Sequence, residues 1–206
     1  MLADLTREQI LAEQYGLVAG VDEVGRGCLA GPVCVGLVVA PLDRPIPTGL
    51  TDSKLLSPSR RQKLVPQVEE WALAWALGWA GPDEVDHLGI VGALRAAGHR
   101  ALAQIDLEVG IVLLDGNHDW FSDLWTPPVV TQVKADRDCA SVAGASVLAK
   151  VARDRYMESL ADPGYDWAHN KGYGSAKHRA ALANLGVSDH HRKTWKLLTE
   201  GTATGG

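Results

Sequence analysis

Four carboxylates stand where a chain could use them together. Asp22 and Glu23 are adjacent and end an apolar run, LVAGVDE at 17–23. Asp115 ends a second run, VGIVLLD at 109–115, and Asp136 closes a third, PVVTQVKAD at 128–136. Hard oxygen donors of this kind suit Mg²⁺ or Mn²⁺ rather than zinc. Like charges gathered in one place repel unless a cation offsets them. An ion held there could activate water and stabilise a leaving oxygen in phosphodiester hydrolysis. Taken singly, each acid is an ordinary solvated residue at a strand end. The case rests on the set, because strand ends of an open α/β sheet can converge on one crevice.

Two features complicate or extend that set. In a regular strand Asp22 and Glu23 point to opposite faces. Both serve one site only if the strand bends there or one of them contributes its backbone carbonyl. The following Gly25-Arg26-Gly27 makes a bend feasible and lets backbone approach a sugar-phosphate closely. GRGCLA at 25–30 also fits the G-x-G-x-x-[GA] pattern of dinucleotide sites. That pattern needs a helix immediately after it, whereas Gly31-Pro32 and an apolar β-branched run follow here, so the reading is rejected.

The elements that must position these residues can be sketched from periodicity. A short N-terminal helix precedes a strand at 17–23, and PVCVGLVVA (32–40) is a second strand. Ser57-Pro58 opens a helix that Pro66 is expected to kink or end. In WALAWALGWA (71–80) Trp and Leu alternate with Ala and Gly, a period of two that predicts a strand whose Trp ladder lies in the core. Residues 82–105 form a helix, 109–117 and 128–136 are strands, and 138–160 is a long helix rich in small residues, against which something packs closely. A glycine-rich loop, NKGYGS (170–175), and two short helices complete the chain. The order predicts an α/β fold, a mixed sheet with a helical C-terminal piece.

The 206 residues, 46% of them hydrophobic, suit one large domain. A net charge of −5 argues against a general basic coat for nucleic acid but leaves room for a local basic groove. No apolar run is long enough to cross a membrane, and the N-terminus lacks the pattern of a signal peptide. Cys28, Cys34 and Cys139 form no CxxC pair, which fits a reduced, cytoplasmic protein.

Several motifs in this order resemble ribonuclease HII, the type 2 RNase H family. They are GVDEVGRGxxxGPV (20–33), DSK (52–54), LLDGN (113–117), VKAD (133–136), ASVLAKVARD (145–154), KGYGSxxH (171–178) and HHRKTW (190–195). The resemblance runs from about Val18 to Trp195. It implies an RNase H-like mixed five-stranded sheet flanked by helices, with a catalytic core at 1–160 and a C-terminal helical extension of the same domain at 161–200; the low-complexity GTATGG at 201–206 is expected to be a disordered tail. It implies that Asp22, Glu23, Asp115 and Asp136 are catalytic and bind Mg²⁺ or Mn²⁺, two ions with substrate bound. Gly25, Arg26 and Gly27 would contact the minor groove around a ribonucleotide 2′-OH. Tyr173 would pack on the neighbouring deoxyribose, and Lys54 and Lys150 would contact phosphates. The implied activity is endonucleolytic cleavage of RNA in RNA–DNA hybrids and of duplex DNA with an embedded ribonucleotide, giving 5′-phosphate and 3′-OH ends. The 2′-OH is what separates RNA from DNA at a site, so such a probe need read no sequence.

The sequence departs from the family pattern at Ala143-Gly144, Ser175, Thr194-Trp195 and the alanine of KAD, all small or conservative changes. The related type 3 family carries an added N-terminal domain. Only about sixteen residues precede the first strand here, which favours type 2. No segment near the C-terminus resembles a sliding-clamp peptide, and a monomer without an obvious protein partner is expected. Other residues are expected to do ordinary work. His190 and His191 lie at the surface or cap an element, and His118 and Asp119 sit in a solvated loop. Asp154 pairs with a nearby base, and Trp120, Trp125 and Trp167 pack. Lys150 and Arg153 are either phosphate contacts or the exposed face of their helix. The competing readings are a non-catalytic nucleic-acid-binding module, another RNase H-like nuclease such as a resolvase or a type 1 enzyme, and a nucleotide-binding α/β enzyme.

Overall fold

The computed structural model describes residues 2–197; the expected tail at 201–206 and the C-terminal end searched for a clamp peptide lie outside them. The chain runs α1 (Thr6–Tyr15), β1 (Leu17–Val24), β2 (Val33–Val39), α2 (Pro58–Trp71), β3 (Ala74–Ala80), α3 (Pro82–Leu102), β4 (Val109–Asp115), β5 (Val129–Gln132), α4 (Ala135–Asp138), α5 (Ala140–Ser159), α6 (Trp167–Asn170) and α7 (Ala176–Leu185). The five strands form one mixed sheet in the order β3-β2-β1-β4-β5. The β1/β2 and β2/β3 pairs are antiparallel, and the β1/β4 and β4/β5 pairs are parallel. The expected mixed five-stranded sheet is therefore present.

Alternation along the strands sorts side chains to two cores. Ala19, Val21, Val35, Leu37, Val112 and Leu114 meet α3 residues Leu94 and Ala97 on one face. On the other, α5 lies so close that a Cβ on Gly20 would sit 2.3 Å from Ser141 Oγ and one on Gly36 would sit 2.3 Å from the Ala145 carbonyl. The small residues of α5 are what permit that approach. The C-terminal part packs onto the same body through Leu29, Met157, Tyr165, Trp167 and Leu182.

Three expectations fail for physical reasons. The helix α2 continues through Pro66 to Trp71. Pro66 and Gln62 are both exposed, so the Gln62 carbonyl that loses its partner faces water. The strand predicted at 71–80 begins only at Ala74, and its Trp ladder is only partly core: Trp71, at the end of α2, is buried, but Ala76, Gly78 and Ala80 are the strand's buried face and Trp75 is 38% exposed. Helix α3 packs on the small face, where a Cβ on Gly78 would meet the Ala97 carbonyl at 1.8 Å. The bulky face of this edge strand is left half covered, with Trp79 tilted against Tyr156 at 5.8 Å. Finally, the strand at 128–136 stops at Gln132. Lys134 adopts left-handed backbone, and Asp136 sits on α4 rather than on a strand end. The short helix α6 also precedes the glycine-rich loop, leaving α7 alone after it.

Candidate active site

The pairing of β1 with β4 ends at Val21–Leu114, three residues before β1's register with β2 ends at Val24–Cys34. Asp22 and Glu23 thus lie on a stretch of β1 whose β4 side is open. The strand does not bend at the acids. Asp22 pairs across to Gly36 and Glu23 to Val35 in unbroken register, so the two do point to opposite faces, Asp22 toward α5 and Glu23 toward the α3 side. The turn comes later, at Gly25, whose φ is +92°. A Cβ there would strike Arg153 Nε at 2.1 Å, so the fold itself demands this glycine.

Asp22 is 2% exposed. Its Oδ1 accepts the Glu23 amide at 2.8 Å, and the Ser146 hydroxyl also stabilises the carboxylate. Its Oδ2 is buried with no hydrogen-bond partner. Burial first, then the neighbouring Glu23 charge, push the Asp22 carboxyl well above the usual range. Burial raises Glu23 too, against the guanidinium of Arg26 at 3.4 Å. Burial and the charge of Asp136 raise Asp115, whose Oδ1 accepts the Asp136 amide at 3.3 Å. Asp115 in turn pushes up both Asp22 and Glu23, which places its charge within reach of both.

The cation among them is Lys54. It sits on a helical turn at Ser53–Leu55, capped by Asp52 and fastened to α5 by the Ser53–Ser146 hydroxyl contact at 2.8 Å. Its ammonium donates to Asp136 Oδ2 at 2.9 Å. Partial burial works to lower its pKa, but Asp136, Asp22 and Asp52 outweigh that and hold it above the ordinary value. Among the described residues, no three His, Cys, Asp or Glu side chains form a ready-made cage for an ion. The donor chemistry nevertheless fits a hard divalent cation: four acids gather here, Asp22, Glu23 and Asp115 carry raised proton affinity that a cation would relieve, and Asp22 keeps a buried orphan oxygen.

The nucleic-acid candidates divide between two places. Lys54 lies with the acids. Tyr173, 41% exposed, follows Gly172 in the glycine-rich loop, with Lys150 Nζ and Arg153 Cζ each 5.9 Å from its ring centroid. Lys150 is held by Asp154 at 2.7 Å, as expected of Asp154. Arg153 is fully buried, so it is not the exposed helix face; it donates to the carbonyls of Pro32, Ala30 and Lys171. Gly27 has ordinary backbone, and a Cβ there would meet nothing within 4 Å.

Arg192 is the supporting residue that sequence reasoning passed over. It is buried, and its guanidinium donates to Gly25 O at 2.6 Å, Arg26 O at 2.8 Å and Gly31 O at 3.1 Å. It therefore grips the Gly25-Arg26-Gly27 turn from behind. Its place within HHRKTW was the available signal. His191 is fully buried, not at the surface, and His190 lies half-buried, edge-on to Trp167 at 5.2 Å. Trp120 and Trp167 are buried as expected, but Trp125 is 91% exposed. His118 is exposed, and Asp119 caps the Phe121 and Ser122 amides in its loop.

The model for "Ribonuclease HII" matches residues 19–198. A ribonuclease HII of Streptomyces griseus is 50% identical over 188 residues, covering 88% of this chain and 78% of the relative. Among solved structures, the RNase HII in a PCNA:RNase HII complex from Archaeoglobus fulgidus superposes with a TM-score of 0.69 at 25% identity, covering 90% of this chain and 98% of that one. Bst-RNase HIII in complex with Mn²⁺ shares the fold, with a TM-score of 0.59 at 21% identity over 84% of this chain and 63% of its own. A mixed five-stranded sheet carrying carboxylates at one end, with these likenesses, defines a hydrolase of the RNase H type. More narrowly, the chain belongs to the ribonuclease HII family, type 2 ribonucleases H, which are divalent-metal-dependent nucleases acting on RNA–DNA hybrids.

Proposed function

We propose that this chain, beyond cutting the RNA strand of hybrids, incises duplex DNA immediately 5′ of a single embedded ribonucleotide, leaving 5′-phosphate and 3′-OH ends. The observation that carries the reading is the buried, unpartnered Asp22 Oδ2 within a set of four mutually repelling carboxylates. Asp22, Asp115 and Asp136 would hold Mg²⁺ or Mn²⁺, two ions with substrate bound, and Glu23, whose side chain leaves the other face of β1, would add its backbone carbonyl. Bound metal would supply Lewis-acid stabilisation of the scissile phosphate and an activated water.

The chain's own residues do the rest. Lys54 would move from Asp136 toward the phosphate when metal takes over the carboxylates. The Gly25-Arg26-Gly27 turn, held by Arg192, would present backbone to the minor groove beside the 2′-OH. The open space around Gly27 supports this, because nothing in the fold requires a glycine there, whereas a closely approaching sugar-phosphate would. Tyr173 would rest its exposed ring on the adjoining deoxyribose, and Lys150 beside it would meet a phosphate. In this reading residues 161–200 extend the catalytic core of 1–160 to carry Tyr173. The protein works as a cytoplasmic monomer; no described helix is long and apolar enough to cross a membrane.

The test is incision of a labelled DNA duplex containing one ribonucleotide, beside an RNA–DNA hybrid, an all-DNA duplex and a chelator control. Metal-dependent cutting 5′ of the ribonucleotide, with none in all-DNA, is expected. Cutting of the hybrid alone would overturn the single-ribonucleotide reading and leave the family activity standing.

A further inference from the structure

Two buried histidines lie outside the chemistry above, and their hydrogen bonds form a directed chain. The Ser188 amide donates to His191 Nδ1 at 3.1 Å, with the Ser188 hydroxyl 2.8 Å from the same nitrogen. That nitrogen is therefore an acceptor, and the ring proton of neutral His191 is on Nε2. His191 Nε2 lies 3.0 Å from His178 Nε2, which must then accept. The His178 proton is left on Nδ1, which donates to the Tyr173 carbonyl at 2.9 Å. One tautomer of each ring satisfies every contact.

The chain of bonds ends at the two substrate-facing turns. The same Tyr173 carbonyl takes the Ser175 amide at 2.8 Å. Immediately before Tyr173, the Gly172 carbonyl takes the amides of Leu29 and Ala30, and the Gly31 amide donates to His190 O. His191 forms an antiparallel bridge with Ala30, and the Arg192 amide donates to Leu29 O. From Arg192 the side chain grips Gly25 and Arg26. The segments at 25–31, 172–178 and 188–192 are thus laced into one unit; the histidine pair holds the Tyr173 carbonyl, while Lys150 and Arg153 lie against its ring and Cys28 meets its side chain.

We propose that His178 and His191 are positioning residues, which fix the Tyr173 turn relative to the Gly25-Arg26-Gly27 turn and so set the enzyme's preference for a ribonucleotide beside a deoxyribonucleotide. The proposal rests on the reading that those two turns touch substrate. Tyr165 and Trp167 wall the pair, Tyr165 standing edge-on to His191 at 4.7 Å and to His178 at 5.9 Å. The rings cannot reorient without disturbing that packing.

Two measurements test it on the full chain. The first is the ¹⁵N spectrum of the histidine rings at neutral pH. His191 protonated on Nε2 and His178 on Nδ1 are expected; the opposite tautomer of either ring overturns the relay. The second compares initial rates on a single-ribonucleotide duplex and on a uniform hybrid. His178→Ala is expected to raise KM on the single-ribonucleotide duplex about tenfold, the worth of one lost hydrogen bond, with kcat on the hybrid little changed. His178→Asn, whose amide can still donate to the Tyr173 carbonyl, should restore the preference. A His178→Ala protein that folds and keeps the wild-type preference, while Tyr173→Ala loses it, overturns this inference alone. If Tyr173→Ala also keeps the preference, the substrate reading of the turn fails first.

Discussion

The open end of β1 and the cradle behind the Gly25-Arg26-Gly27 turn both bury charge, and they treat it in opposite ways. In the cradle every buried ionisable group is answered. Arg153 and Arg192 donate to carbonyl oxygens, and His178 and His191 share one satisfied chain of bonds. Burial lowers the Arg192 pKa only to about 10, so its guanidinium stays charged at neutral pH. At the acids, Asp22 keeps an unanswered oxygen and three carboxyls are pushed up although Lys54 and Arg26 stand nearby as counter-charges. A buried polar atom left unpaired costs about 1–3 kcal/mol. Such atoms occur elsewhere too, Trp167 Nε1 in the cradle and Glu8 Oε2 among them, but at Asp22 the orphan oxygen belongs to a carboxylate that Glu23 and Asp115 also repel. The cradle is built to hold a shape and the acidic end to receive a cation.

The largest effect is expected of Asp115→Asn, which removes a charge between Asp136 and the β1 pair. Hydrolysis should fall by about 10³-fold or more, since one electrostatic contact to a transition state is worth about that much, while circular dichroism stays unchanged. A variant with normal turnover would show that the acids are not the catalytic set.

Gly25 and Gly27 should respond differently to the same added methyl group. Gly25→Ala forces a side chain into left-handed backbone and onto Arg153, so it should lose stability by about 1–2 kcal/mol or more. Gly27→Ala should melt like the wild type and lose substrate affinity instead. Thermal melts and gel-shift binding without activating metal separate the two, and equal melting losses would remove the argument that Gly27 is kept for a ligand.

Stability without metal gives a smaller effect of unusual sign. Asp22→Asn should abolish activity yet raise the melting temperature in chelator by about 2–4 °C, which is about 1 kcal/mol for a chain of this size. A lower melting temperature would mean that the Asp22 charge is already well accommodated.

The two regions should also answer pH in opposite directions. His191 titrates at about 4 in the fold against an ordinary value near 6.5, chiefly because of burial. A histidine whose folded pKa is lowered gives its full stabilisation above the ordinary value and loses it as pH falls toward the lower one. The raised acids do the reverse: their cost is absent below the ordinary carboxylate range and grows as pH rises through their raised values. In metal-free melts against pH, His191→Gln should flatten the acid limb and Asp22→Asn the neutral limb. A swap of those effects would contradict the assignment.

Much of this was legible in the sequence because it rests on local signals. Strand cores, the small-residue face of α5 and the four acids all announce themselves by composition and spacing. What was not legible depends on partners distant in sequence. Nothing near Arg153 reveals that its guanidinium ends under Pro32 and Lys171, and HHRKTW reads as a polar surface run until the bridge to Ala30 buries it. The Trp ladder misled because periodicity reports two faces but not which one a helix will cover. Pro66 misled because a helix tolerates proline where the freed carbonyl is wet.

The central claim is that the acidic end is held unsatisfied for a divalent cation. Its most direct test is the melting temperature of the full chain with and without Mg²⁺ or Mn²⁺, beside Asp22→Asn and Asp115→Asn. The account predicts that metal raises the wild-type melting temperature and that either substitution largely removes the rise. An equal rise in all three proteins, or none in the wild type, would contradict it.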